Sequence, residues 1–286
     1  MAQQQISFTK MHGLGNDYIY INCFSIAIRN PQRLSRIVSN RHTGIGSDGL
    51  ILILPSKKAD VRMRMFNADG SEAEMCGNGI RCLAKYVYEH RIIRKKIITC
   101  ETQAGIKKLT LFLSRNNRTV RRVSVAMGKP LFDCTRIPIK TRMREFIKQN
   151  ITVARHTFTA TCLSLGNPHC VIFTKNVDRI PLEQWGPLLE SHALFPNRIN
   201  VEFVQIIDDK NIALRIWERG SGITLASGTG STASAAAFMK THTHQKSITV
   251  HLPLGTLRIT QQPDGELIMT GPASEVFSGT VVLPLL

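Results

Sequence analysis

Two short segments 151 positions apart repeat one device: Cys76-Gly77-Asn78-Gly79 and Ser227-Gly228-Thr229-Gly230. In each, a small nucleophile-type side chain precedes a Gly-x-Gly that opens into a helical pattern, reaching His90 in the first case and Lys240 in the second. The glycines permit a tight turn and let a ligand approach the backbone. The helix that follows points unpaired N–H groups and the positive end of its dipole at the same spot. A chain that carries this device twice, with a similar order of elements before and after about residue 122, is expected to form two related α+β domains. Its site is expected in the cleft between them.

The rest of the chain agrees with that plan. Alternating or β-branched runs predict strands at 50–54, 61–66, 108–113, 122–127, 201–205, 212–217, 248–252 and 280–283. Helical patterns are fewer: 31–40, opening on Pro31 with Leu34, Ile37 and Val38 on one face, the two segments after the Gly-rich turns, and 182–192. Across 286 residues, no apolar run approaches the ~18 residues of a membrane span. The polar MAQQQ start is unlike a secretory signal. A soluble, cytoplasmic protein is the expectation. The seven cysteines are scattered without Cys-x-x-Cys spacing, so a zinc site is not expected. The net charge of +17 is spread along the chain with only short basic runs, at 91–96 and 140–144. It is therefore read as a solvated surface and not as a nucleic-acid site.

The chemistry-bearing residues gather around the two turns. A thiol at a helix N-terminus has its pKa lowered from ~8.5, which makes Cys76 a candidate base, although a buried structural cysteine beside a turn is the plain alternative. Asn16 follows the flexible Gly13-Leu14-Gly15 turn, Asn67 opens a polar turn after a strand, and Asn167 lies in a comparable Gly166-Asn167-Pro168-His169 loop. Each of these alone is ordinary loop composition. In Trp217-Glu218-Arg219-Gly220, Arg219 can clamp a carboxylate and Glu218 can hold an ammonium, or the two can form a surface ion pair of little consequence.

Together KMHGLGND (10–17), FNADGSEAEMCGNGIRC (66–82), GNPH (166–169), NVEFVQ (200–205) and WERGSG (217–222) resemble the diaminopimelate epimerases, essentially from end to end. The resemblance implies two pseudo-symmetric α+β halves, each a mainly antiparallel sheet around a central helix. One half would span 1–122 joined by a last strand at about 273–286, and the other 123–272. It further implies a homodimer of the lysine and peptidoglycan precursor route, needing neither metal nor pyridoxal phosphate, that interconverts LL- and meso-diaminopimelate. By motif match, Asn16, Asn67, Asn167, Asn200, Glu218 and Arg219 would contact substrate. The Gly77-Asn78 and Gly228-Thr229 backbones would cradle the reacting carboxylate.

Inverting an α-carbon needs a base on one face and an acid on the other. The family places a thiol at both positions. Here the first is Cys76, whereas Ser227 takes the second, and Ile223 replaces the family's usual Glu. A hydroxyl is a far weaker acid than a thiol, and no His or Lys adjoins Ser227 in sequence to activate it. The readings left open are an epimerase slowed at one face, one-base chemistry or another amino-acid substrate, and a binding protein that keeps the cleft. A Cys-to-Ser exchange introduced into the gene would explain Ser227 but not Ile223.

Overall fold

The computed structural model describes residues 3–284. The chain divides into two compact units. The first runs to Val125 and resumes at Gly271, and the second is Ala126–Thr270. Both are α+β and dominated by sheet.

In the first unit Gln3–Gly13 and Asn16–Asn22 form a hairpin. Helix α1 (Pro31–Ser39) then crosses to Gly49–Leu54, which lies parallel to Asn16–Asn22. Val61–Asn67 returns antiparallel, turns into the two-residue strand Glu72–Ala73 and leads into α2 (Gly77–Glu89). Ile97–Thr102 joins parallel to Val61–Asn67, and Gly105–Leu113 and Val120–Gly128 follow antiparallel. The last strand, Ser274–Pro284, pairs antiparallel with Gln3–Gly13.

The second unit repeats this path element for element. His156–Ser164 and Pro168–Thr174 form the hairpin, and α3 (Leu182–Glu190) crosses to the parallel strand Asn200–Ile206. Asn211–Glu218 returns antiparallel, turns into Gly222–Thr224 and leads into α4 (Gly228–Thr241). Ser247–Leu252 joins parallel, followed by antiparallel Gly255–Gln261 and Leu267–Gly271.

Local sequence explains the helix starts. Pro31 opens α1, where its missing N–H costs nothing, and Asn30 caps it by accepting from Arg33 N at 3.0 Å. Helices α2 and α4 are enclosed almost all round, with Gly77 through Val87 of α2 buried and Ala233, Ala235, Ala236, Ala237 and Phe238 buried in α4. Small side chains let strands close on α4 from several sides. The eight predicted strands and four predicted helices all form. Sequence periodicity missed several others, including His156–Ser164 and Ile97–Thr102, which find their partners only in the assembled sheet. Among the described residues, no helix is long and apolar enough to cross a membrane.

Candidate functional site

Cys76 and Ser227 are the N-caps of α2 and α4. Their backbones are nearly superposable in torsion, with φ −127 and ψ 123 at Cys76 and φ −124 and ψ 126 at Ser227. Cys76 Sγ accepts from Gly79 N at 3.4 Å, and Ser227 Oγ accepts from Gly230 N at 3.2 Å. Each therefore satisfies one orphan donor of its helix and stands in the positive field at the helix start.

In the first unit, Leu14 at φ 59 and Gly15 at φ 90 turn the hairpin so that Asn16 meets α2. Asn16 Oδ1 accepts from the Cys76 thiol at 3.3 Å and from Asn78 Nδ2 at 3.2 Å. Its orientation is set from behind, because Asn16 Nδ2 donates to Asp48 Oδ2 at 2.8 Å. Asp48 also accepts from the Asp17 N–H at 3.1 Å and from Arg41 at 2.9 Å. Burial would raise the Asp17 carboxyl, but hydrogen bonds and charge from Arg41 and Lys10 outweigh it and hold the group below its ordinary value. Arg81, fully buried one turn into α2, donates to Asn78 Oδ1 at 2.9 Å, Gly77 O at 3.1 Å and Pro272 O at 3.1 Å. Burial lowers its pKa, while the neighbouring Cys82 and Cys76 pull the other way. A guanidinium and a helix N-terminus thus both favour negative charge at Cys76. Asn67 stands apart from this cluster, its amide donating to Ser71 Oγ at 2.9 Å within its own turn.

In the second unit, Asn167 Nδ2 donates to Thr229 Oγ1 at 3.3 Å, and Thr229 Oγ1 lies 3.5 Å from Ser227 Oγ. Asn167 Oδ1 faces His169 Nε2 at 3.0 Å, and His169 Nδ1 faces Glu202 Oε1 at 2.7 Å. His169 and Glu202 are fully buried. Asn200 is a brace: its Nδ2 donates to Pro168 O at 2.8 Å and its Oδ1 accepts from Arg219 N at 3.0 Å. The Arg219 side chain reaches Asn197 O at 3.3 Å, and Glu218 accepts from Thr224 Oγ1 at 2.6 Å. Buried Glu190 holds the same turn by accepting from Trp217 Nε1 at 2.7 Å and Gly220 N at 2.9 Å. Ile223 pairs with Trp217 across the short hairpin and is 41% exposed. Thr224 supplies a hydrogen bond to Glu218 in that same hairpin.

Cys76 and Ser227 cap the two helices that the Gly-x-Gly pattern predicted, whereas the sequence reading did not single out Asp48, Arg81, Glu190 or Glu202, which brace the surrounding groups. Arg81 had a readable signal, a lone cation inside the apolar run Ile80 to Ala84. The others are brought in from distant strands and helices. A surface cavity of about 670 Å³ in the second unit, walled by Lys140, Arg142 and Arg144, includes none of the expected site residues. Among the described residues, no group of three or more His, Cys, Asp or Glu is placed to hold a metal ion.

The family model for diaminopimelate epimerase matches residues 8–132 and 161–276. A diaminopimelate epimerase of Methanococcus maripaludis is 50% identical over 278 residues, covering 96% of this chain and 99% of its own length. One from Acetivibrio thermocellus is 49% identical, covering 96% and 98%. Among solved structures, a phenazine biosynthesis protein of the PhzF family from Bacillus anthracis aligns with a TM-score of 0.70 at 19% identity, covering 97% of this chain and 99% of that one. A hydroxyproline epimerase from Agrobacterium vitis aligns with a TM-score of 0.70 at 13% identity, covering 100% and 94%. At such identities these two show a shared fold.

Proposed function

The chain belongs to the diaminopimelate epimerase family, and on that premise we infer that it interconverts LL- and meso-diaminopimelate by proton transfer at the α-carbon. The observation that carries the residue assignment is the matched pair of N-caps, Cys76 on α2 and Ser227 on α4. One unit supplies a thiol and the other a hydroxyl.

In this reading Cys76 removes the α-proton as thiolate, a state favoured by the α2 dipole and by Arg81. Asn16 holds the thiol when the proton is on sulfur. The carbanion that results is stabilised by N–H groups at the helix starts, Gly77 and Asn78 in one unit and Gly228 and Thr229 in the other, as in an oxyanion hole. Asn67, Asn167 and Asn200 orient the substrate, Arg219 takes a carboxylate and Glu218 an ammonium. Ser227 returns a proton at the second face. A hydroxyl is poorly matched to that task, and losing a positioned acid or base costs roughly 10²–10⁴-fold. The same reading includes a cytoplasmic homodimer, each chain divided along its sequence into halves at about residues 122 and 272. The charge of +17 is then a surface property, and activity should be insensitive to salt.

The test is LL-diaminopimelate in deuterated buffer, following α-deuterium incorporation and inversion together. Inversion supports the assignment, with exchange at the thiol face running ahead of it. Equal exchange and inversion from both isomers would remove the asymmetry assigned to Ser227. Absence of both at saturating substrate would leave a binding protein. Exchange without inversion would favour one-base chemistry, the reading that the Ser227 hydroxyl itself recommends.

A further inference from the structure

The second unit buries a carboxyl where the first unit buries a hydrocarbon side chain. Glu202 is fully buried on the strand Asn200–Ile206, and its Oε1 lies 2.7 Å from His169 Nδ1. Its Oε2 finds no hydrogen-bond partner among the described residues. The matching position of the first unit is Ile51: Ile51 pairs with Tyr20 in the parallel register where Glu202 pairs with Val171. Both side chains end behind a helix start. A Cβ added to Gly79 would lie 2.6 Å from Ile51 Cδ1, and one added to Gly230 would lie 3.0 Å from Glu202 Oε1 and 3.3 Å from Ser227 Oγ.

With a neutral His169 ring, the hydrogen bonds from Glu202 to Thr229 form a chain with two consistent proton arrangements; a third, a Glu202 carboxylate against a doubly protonated ring, buries both charges. In one, Glu202 is a neutral acid donating to His169 Nδ1, the ring carries its proton on Nε2 and donates to Asn167 Oδ1, and Asn167 Nδ2 faces Thr229. In the other, Glu202 is an anion accepting from Nδ1–H, Nε2 is an acceptor and the Asn167 amide is turned over, presenting its oxygen to Thr229. An anion here would leave one charged oxygen buried without a partner, which is the costlier state. We propose that Glu202 is a proton-carrying positioning residue: as a neutral acid it holds His169 in the Nε2–H tautomer and thereby fixes the Asn167 amide, Nδ2 outward, beside Thr229 and Ser227. Burial raises the Glu202 carboxyl, His169 draws it down, Glu218 adds to the rise, and the net direction is upward. Cys162 also lies in its field.

The protein and its Glu202→Gln variant, compared by infrared difference spectroscopy at neutral pH, decide the proton. The expected result is loss of a carboxylic-acid C=O band, whereas loss of a carboxylate band would overturn the proposal. Nitrogen-15 NMR of the histidines, with His169 assigned through His169→Gln, should show an unprotonated Nδ1 in both the protein and the Gln variant, whose amide N–H replaces the acid as donor. A protonated Nδ1 in the unaltered protein would overturn the tautomer. The kinetic comparison rests on the epimerase reading, and the spectra do not, so a protein inert toward diaminopimelate would sink that reading while leaving the proton decided. With turnover, Glu202→Gln should keep KM within about threefold, and Glu202→Met, which lacks a donor, should raise it about tenfold or more. Equal KM in the two variants would overturn the positioning role.

Discussion

Glu202 stands behind α4 where Ile51 stands behind α2, one strand position and one helix turn repeated with an acid in place of a hydrocarbon. The backbone plan of the two units is the same, so the difference is one of chemistry. It has a consequence for stability. Because the folded carboxyl titrates above its unfolded value of about 4.3, the folded state holds a proton that the unfolded chain releases. Stability from this group is complete below about pH 4.3 and is lost as pH rises through the folded value. Urea midpoints measured from pH 4 to 9 should therefore fall for the protein relative to Glu202→Gln. Parallel curves would show that Glu202 titrates alike in both states.

Placing a thiol at the second N-cap tests where the proposed bottleneck lies. Ser227→Cys is expected to raise the epimerisation rate by an order of magnitude or more, since a thiol is the better-matched acid and base. The N-cap geometry that accepts from Gly230 N is retained by sulfur, as Cys76 already demonstrates toward Gly79 N. An unchanged rate would place the slow step elsewhere.

Cys76 should be the one cysteine open to alkylation. The other six are buried, and burial pushes the thiols of Cys23 and Cys82 up to about 11 and that of Cys100 up to about 12. Iodoacetamide on the native protein near neutral pH should add a single adduct by intact mass, and Cys76→Ala should remove it. Two or more rapid adducts would contradict this burial pattern.

In the proposed epimerase, Asp48 is expected to act on catalysis through Asn16. Removing it in Asp48→Ala frees the Asn16 amide that the carboxylate holds at 2.8 Å, so the amide no longer presents its oxygen to the Cys76 thiol by default. A charge-assisted hydrogen bond of this kind is worth about 1.5–3 kcal/mol, which corresponds to a drop in kcat/KM of roughly 10- to 100-fold with the circular dichroism spectrum preserved. Undiminished kcat/KM would show that Asn16 is held by other contacts.

The features legible before folding are those that depend on near neighbours along the chain. A small side chain ahead of Gly-x-Gly caps a helix at Cys76 and at Ser227 because the acceptor and the orphan N–H are three residues apart, and capping needs nothing else. The duplication, the eight alternating strands and the asymmetry between thiol and hydroxyl were legible for the same reason. Which groups stand behind those caps depends on long-range packing. Asp48 reaches Asn16 across 32 residues and Glu202 reaches His169 across 33, through parallel strands joined by a crossing helix. No local period encodes such a pairing. The register of the assembled sheet brings an acid to a histidine in one unit and leaves isoleucine in the other, and burial then sets the charge that the acid carries.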